Sequence, residues 1–374
     1  MKKELSDVID EDVLYIAMLK CLRGVLWKDS VAHFYINWAT EIDRLCKEIE
    51  SGKYNQRKAS YFRIGKRDIM SIAFRDRCIQ RALNDFVLYP AISPTLIRGN
   101  CACQTGKGIL DAKDYLKKII RREWKHHGTN LYALKCDIKG YYKNIPHEVG
   151  ESELKRVLSN SVFEFLKNKI LSVYEGDKGY IAGNQTVQII GISALSPLDH
   201  YIKEKLRVKG YVRYMDDFIL ISHDPEHLLY YKSKIEEYLS VIGLTLNEKK
   251  TKIINLKDKP IEFLGFDFNL TETGKVCAFV ASSKVKNKRV QLYRMAQKVK
   301  HGEKERGSAD KAYMDWRTHA MYGDTYTFLK RMDEYYFGLY GEEVPEYVKN
   351  QKKPKRRKRN RDTESGERNA TFAA

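Results

Sequence analysis

The run Tyr211-Val-Arg-Tyr-Met-Asp-Asp-Phe-Ile-Leu-Ile-Ser222 sets two adjacent carboxylates, Asp216 and Asp217, inside an otherwise apolar, β-prone segment. Like charges repel, and a buried carboxylate without a partner is costly. The flanks, Tyr211 to Tyr214 and Phe218 to Ser222, are rich in β-branched and aromatic residues and read as two short strands. The segment is expected to be a β-hairpin whose tip points two acids at a cation or a positively charged partner.

Two acids do not fully hold a pair of divalent metals, so a third is expected on the same sheet. Asp137 closes the apolar run Leu131-Tyr-Ala-Leu-Lys-Cys-Asp137-Ile138 and is followed by Gly140-Tyr141-Tyr142. Mg²⁺ is a hard cation that takes few carboxylates and keeps room for water and phosphate oxygens, so three aspartates from two strand segments suit phosphoryl transfer. In a two-metal site the ions lie about 3.5–4 Å apart, one activating an attacking 3′-hydroxyl and the other steadying the leaving pyrophosphate. A solvated turn is the plain alternative for an Asp-Asp pair taken alone.

Charge points the same way. Formal net charge is +19, and removing the eight positive residues of Lys352-Lys-Pro-Lys-Arg-Arg-Lys-Arg-Asn-Arg361 leaves +11 on the remainder. A basic body is the footprint of a polyanion binder, whose affinity falls with salt as counterions are released. The chain has 374 residues and 43% hydrophobic content, enough for a sizeable core divided into two or three subdomains. Seven scattered cysteines imply a reducing compartment, and Cys101 and Cys103 have no second pair to make a zinc site. With no long apolar run and no signal pattern, the expected location is the cytoplasm, away from membranes.

Seven motifs, in one order along the chain, now carry a resemblance. Tyr214-Met215-Asp216-Asp217 resembles the YxDD signature of reverse transcriptases, and Asp137-Ile-Lys-Gly-Tyr-Tyr142 resembles their first palm motif. Gly183-Asn-Gln-Thr-Val-Gln188 is similar to the GNxTSQ block of bacterial diversity-generating and related retroelement groups. Phe74-Arg-Asp-Arg77 and Cys101-Ala-Cys-Gln-Thr-Gly-Lys-Gly108 resemble the fingers motifs FRDR and ACRxGKG. Leu244-Thr-Leu-Asn-Glu-Lys-Lys-Thr-Lys252 and Glu262-Phe-Leu-Gly-Phe266 resemble the motif-D and primer-grip segments.

The resemblance implies an α+β right-hand polymerase: fingers, a palm built on an antiparallel ferredoxin-like or RRM-like sheet, and a helical thumb. On that frame residues 1–55 form an N-terminal helical extension, 56–130 and 147–180 the fingers, 131–146 and 181–270 the palm, and 271–345 the thumb. Residues 346–374 are expected to be a basic, disordered tail serving as a nucleic-acid tether. Helices are expected over Asp12 to Arg23, Val31 to Ile49, Glu148 to Tyr174 and Pro225 to Ile242, with a hairpin from Ser60 to Ile64 and Arg67 to Ile72. In the thumb, Lys284, Lys286, Lys288, Arg289, Arg294, Lys298 and Lys300 are expected to form a basic face along a duplex.

Roles follow from the same resemblance. Asp137, Asp216 and Asp217 are the catalytic acids and, with the backbone carbonyl of Ile138, the ligands of two Mg²⁺ ions, for which Mn²⁺ can substitute. Tyr142 stands where the family places an aromatic steric gate against the ribose 2′-hydroxyl. Lys107, Gly183, Gln188 and Arg77 are expected around the incoming nucleotide. One of Lys249, Lys250 and Lys252 is expected to assist pyrophosphate departure. Phe263, Leu264 and Gly265 form the primer grip. Packing beneath the sheet for Tyr142, solvent exposure for each lysine and a plain core strand for Phe263 to Gly265 remain open alternatives. Three positions leave the family pattern: Gln104 replaces an arginine, Ala182 a glutamine and Val187 a serine.

Two activities compete at this level. One is a Mg²⁺-dependent reverse transcriptase of a bacterial or phage retroelement, acting on an RNA template, a DNA primer and dNTPs, with a small accessory protein or a non-coding RNA as a further partner. The other is a polymerase-fold anti-phage defence or abortive-infection protein that makes DNA by protein-primed or non-templated synthesis.

Overall fold

A computed structural model describes residues 2–65 and 67–351. The basic run Lys352 to Arg361, read above as a tether, lies outside the described residues. Helix α1 (Glu11–Leu22) starts where the Asp10 carboxylate accepts hydrogen bonds from the backbone N–H groups of Asp12 and Val13. The single helix expected from Val31 to Ile49 is two, α2 (Asp29–Ile36) and α3 (Trp38–Glu50). The break falls at Asn37, whose side-chain amide donates to the carbonyl of His33 at 3.0 Å. Asparagine competes with the helix for its own backbone bonds. Strands β1 (Ser60–Ile64) and β2 (Arg67–Ser71) form an antiparallel hairpin. Helices α4 (Phe74–Leu83), α5 (Tyr89–Ile92) and α6 (Ile109–His127) follow.

The central sheet contains β3 (Tyr132–Asp137), β4 (Gly210–Tyr214), β5 (Asp217–Ser222) and β6 (Lys252–Asn255) in the spatial order β4-β5-β3-β6, all pairs antiparallel. Between β3 and β4 run α7 (Tyr141–Asn144), α8 (His147–Val157), α9 (Asn160–Phe165), α10 (Gln185–Ser193) and α11 (Ser196–His200); between β5 and β6 runs α12 (Pro225–Val241). This is the β-α-β-β-α-β order of a ferredoxin-like sheet. The helix expected from Glu148 to Tyr174 is interrupted at Ser159, whose hydroxyl caps α9 by accepting from Val162 N–H.

Alternation along the strands buries both faces of this sheet. Leu134, Cys136, Phe218 and Leu220 join a core with Leu228, Ile235 and Leu239 of α12. Ala133, Ile219 and Ile221 join a second core with Leu116, Ile119 and Ile120 of α6. With hydrophobic groups on both sides, the sheet is a packed platform that carries the residues at its strand ends.

A second antiparallel sheet, β7 (Ile261–Phe263), β8 (Phe266–Leu270) and β9 (Val276–Val280), leads into α13 (Ser282–Lys300), α14 (Arg306–Ala320), α15 (Tyr326–Gly338) and α16 (Glu346–Lys349). Leu292, Tyr313, Met332, Tyr336, Phe337 and Val348 give these helices a core of their own. Along α13 the expected basic residues are exposed except Lys288, which is buried and donates to the carbonyl of Ala312 at 2.8 Å. Its spacing puts it on the packed side with Leu292, so it ties α13 to α14 and does not extend the basic face. All seven cysteines are unpaired. Among the described residues no helix is long and apolar enough to cross a membrane.

Candidate active site

Backbone pairing brings the three aspartates to one end of the central sheet. Asp137, the last residue of β3, lies in register with Asp217, the first of β5. Asp217 also pairs with Tyr214 across a two-residue turn made by Met215 and Asp216. Met215 adopts a left-handed φ of 58°, costly for a long side chain. The backbone N–H of Ile138 donates to the carbonyl of Asp216 at 3.2 Å, locking the turn to the end of β3.

The charges around the acids are arranged unequally. Asp137 accepts from Lys250 Nζ at 2.8 Å through one carboxylate oxygen and from Asn247 Nδ2 at 3.2 Å through the other. Lys135 Nζ stands 3.8 Å from Asp217 Oδ2 while donating to the carbonyl of Glu262 at 2.7 Å. Burial pushes the Asp217 carboxyl up to about 7, opposed by Lys135 and reinforced by the neighbouring acids. Burial also raises Asp216. Asp137 raises Lys250 by hydrogen bonding.

Among the described residues no three carboxylate, imidazole or thiol groups close into a finished ligand cage. Lys250 and Asn247 occupy the Asp137 carboxylate in this arrangement. The donor chemistry still suits a hard divalent cation. All three side chains offer oxygen, and Asp217 Oδ1 is buried without a hydrogen-bond partner, an orphan that a cation would satisfy.

Helix α10 supplies the next layer. Asn184 caps it, accepting from Val187 N–H at 2.9 Å and donating to Tyr174 Oη at 2.9 Å. Gly183 has φ 148°, and a Cβ there would lie 1.9 Å from the carbonyl oxygen of Met70 in β2. The contact is secured by Met70 N–H donating to Ala182 at 2.9 Å. Gln188 is exposed one helical turn before Gly191, against which both tyrosines of α7 sit. Tyr141 donates to the Gly191 carbonyl at 2.8 Å, and a Cβ on Gly191 would meet Tyr142 Oη at 2.5 Å. Tyr141 is buried and Tyr142 half-buried. Val187 is a core residue, which accounts for an apolar side chain in place of serine.

The loop 99–108 joins the edge of the sheet beside this turn. Arg213 N–H donates to Gly99 at 2.8 Å, and Cys101 N–H donates to Arg213 at 3.0 Å. Lys107 Nζ and Gln104 Nε2 both donate to the carbonyl of Asn100, at 2.9 and 2.6 Å. Gln104 is thus a buried loop brace. Arg98 forms a two-bond ion pair with Asp111 at 2.8 and 2.9 Å. Arg77 is not brought to the acids: its guanidinium bonds the carbonyl of Cys21 at the end of α1. Lys249 and Lys252 are exposed, and of the three candidate lysines Lys250 is the one in contact with an acid. Phe263, Leu264 and Gly265 form the β7-β8 turn, Leu264 and Gly265 taking φ values of 52° and 83°. That hairpin reaches the acids through Lys135 and Glu262.

Four further residues belong to the site without a role expected from sequence: Asn247, Lys135, Arg213 and Asp199. Asn247 and Lys135 carry a signal, a polar residue inside the Leu244 to Lys252 motif and a lysine alternating within an apolar strand. Asp199 and Arg213 carry none, because their pairing spans two elements.

Residues 57–268, more than half of the chain, match the sequence model of the family described as reverse transcriptase (RNA-dependent DNA polymerase). The chain is 23% identical over 223 residues to the Retron Ec48 reverse transcriptase of Escherichia coli, covering 57% of this chain and 52% of that protein, so it spans about half the length of this relative. Among solved structures it is similar to the apo telomerase of Candida tropicalis truncated from its C-terminal domain, at 18% identity and TM-score 0.44 over 62% of this chain and 58% of that one. It is also similar to the telomerase of Candida albicans in complex with a TWJ fragment of telomeric RNA, at 16% identity and TM-score 0.38 over 59% and 40%. The matched region takes in Asp137, Asp216 and Asp217, the ferredoxin-like sheet that carries them and the helices around it, an α+β architecture of the right-hand polymerase class. The chain belongs to the reverse transcriptase family.

Proposed function

We propose that this chain is an RNA-directed DNA polymerase that extends a primer 3′-hydroxyl with dNTPs by two-metal phosphoryl transfer, in a bacterial or phage retroelement. One observation carries the reading: Asp137, Asp216 and Asp217 meet at a sheet end, with register pairing between Asp137 and Asp217. A protein that only bound nucleic acid would gain nothing by crowding three carboxylates where phosphate must approach. Asp137, Asp216, Asp217 and the Ile138 carbonyl would hold two Mg²⁺ ions, or Mn²⁺, which when bound supply Lewis-acid activation of the hydroxyl and charge neutralisation at the pyrophosphate.

The chain's own residues do the rest. Lys250, bonded to Asp137, is the cation positioned to offset charge on departing pyrophosphate. Tyr142 closes the sugar pocket against a 2′-hydroxyl. Lys107, flanked by Gly106 and Gly108, meets the triphosphate with help from backbone donors. Gly183 to Gln188 forms the floor of the nucleotide site, and Phe263 to Gly265 holds the primer end. On this reading 56–130 and 147–180 are fingers, 131–146 and 181–270 palm, and 271–345 a thumb whose exposed α13 cations grip phosphates. The likeness to a retron reverse transcriptase supports the retroelement setting. An RNA template, a DNA product and an accessory protein or non-coding RNA are the proposed partners. The test is primer extension: the purified chain with an RNA template, a DNA primer, dNTPs and Mg²⁺ makes DNA, and Asp216→Ala does not.

A further inference from the structure

We infer that Arg213 is a positioning residue for catalysis, and that its ion pair with Asp199 is the mount on which the Met215-Asp216 turn is held. The inference rests on the metal-site reading above. Both side chains are fully buried. Arg213 Nε and Nη2 donate to the two carboxylate oxygens of Asp199 at 2.7 and 2.6 Å, Nη2 also to the carbonyl of Ile192 at 3.0 Å, and Nη1 to the carbonyl of Met215 at 2.9 Å. Tyr211 Oη completes the cluster by donating to Asp199 at 2.7 Å.

A buried ion pair is a poor route to stability, since well-packed apolar residues of similar volume often serve as well. Its use has to be sought in what it holds. The Met215 carbonyl belongs to the peptide group that enters Asp216, and the Asp216 carbonyl belongs to the one that leaves it. Arg213 fixes the first from within the core, and Ile138 N–H fixes the second from the end of β3 at 3.2 Å. Asp216 is therefore clamped on both sides, in a turn whose first residue has a left-handed φ of 58° that a methionine does not favour. The same guanidinium reaches α10 through Ile192, which also accepts from Asn100 Nδ2 at 3.2 Å at the root of the Lys107 loop. Turn, helix and loop are thus referred to one planar group. A lysine, with a single ammonium centre, cannot reproduce this set of bonds.

The experiment compares the wild-type chain with Arg213→Met/Asp199→Asn, which removes both charges together, reading thermal melting, Mn²⁺ binding to the protein alone by the EPR signal of free Mn²⁺, and steady-state primer extension. The expected result is a cooperative melt, Mn²⁺ affinity lowered about tenfold and kcat lowered about 10- to 100-fold, with KM for dNTP nearly unchanged. Wild-type Mn²⁺ affinity and kcat in the folded double variant would overturn the inference. If the double variant does not fold, Arg213→Lys takes its place: weakened Mn²⁺ binding supports the mount, and wild-type binding overturns it. A wild-type chain that binds Mn²⁺ through Asp216 yet extends no primer counts against the polymerase reading and leaves the role of Arg213 to the binding data.

Discussion

Lys250 donates from Nζ to Asp137 Oδ2 at 2.8 Å, across the gap between the loop before β6 and the end of β3. Lys249 and Lys252, one and two residues away, are exposed. The contact distinguishes three lysines that spacing leaves equivalent. Lys250→Met is expected to lower kcat about 10²-fold while moving KM for dNTP little, because charge assistance acts chiefly in the transition state. Lys249→Met and Lys252→Met, at solvated positions, are expected to stay within about twofold. Steady-state primer extension on the three variants decides; equal losses for all three would deny Lys250 its special role.

Tyr142 rests on Gly191, where an added Cβ would fall 2.5 Å from the phenol oxygen and 2.9 Å from Cζ. Alanine is worth roughly 1 kcal/mol more than glycine in a helix, so Gly191→Ala favours α10 while forcing the ring to move. Ribonucleotide discrimination is expected to change roughly tenfold in this variant, and Tyr142→Ala is expected to raise ribonucleotide incorporation. Competition between a labelled rNTP and the matching dNTP measures both. Unchanged selectivity in Tyr142→Ala would reduce the tyrosine to packing.

Gly183 meets the backbone of β2, not a flexible side chain, so nothing nearby can yield cheaply. Gly183→Ala is expected to cost roughly 3 kcal/mol or more, from the clash and the unfavourable φ together. Chemical denaturation of the variant checks this, and a midpoint matching wild type would contradict the packing described.

Helix α3 is tied to α4 by an ion pair. Arg75 bonds the Glu48 carboxylate of α3, with Nη1 to Oε1 at 3.3 Å, and this hydrogen bonding holds Glu48 below the usual glutamate range. Because the folded-state value is depressed, the contribution is present above about pH 4.3 and is lost as pH falls through the folded-state value. With Glu48 partly exposed the term is about 1 kcal/mol at most. Glu48→Gln is expected to flatten the acid limb of a melting-temperature profile and to leave the limb above pH 6 parallel to wild type; an unaltered acid limb would show that the ion pair carries no weight.

Strand-level features were legible because period-two alternation is a local signal: the β4-β5 hairpin, the β3 strand ending at Asp137 and the β1-β2 hairpin fall where the apolar pattern puts them, within a residue or two. Helix ends were less legible. Asn37 and Ser159 divide runs that periodicity reads as continuous, since a side chain that caps or competes with the backbone leaves hydrophobic spacing unchanged. Within the site, the aspartates could be read from their position at strand ends, whereas Arg77, read as a nucleotide contact, serves α1. The choice of Lys250 among its neighbours and the Arg213-Asp199 pair depend on contacts across distant segments, and no spacing rule encodes those.

Whether Asp216 holds the reacting centre is decided by single-turnover extension of a DNA primer on an RNA template by the wild-type chain and by Asp216→Ala, at saturating dNTP and Mg²⁺ and at equal folded concentration. Extension by the wild type and a loss of about 10³-fold or more in the variant are expected, with template-primer affinity nearly kept, because the residue acts on the reacting phosphate and not on the duplex. Extension at an undiminished rate by Asp216→Ala would contradict that role.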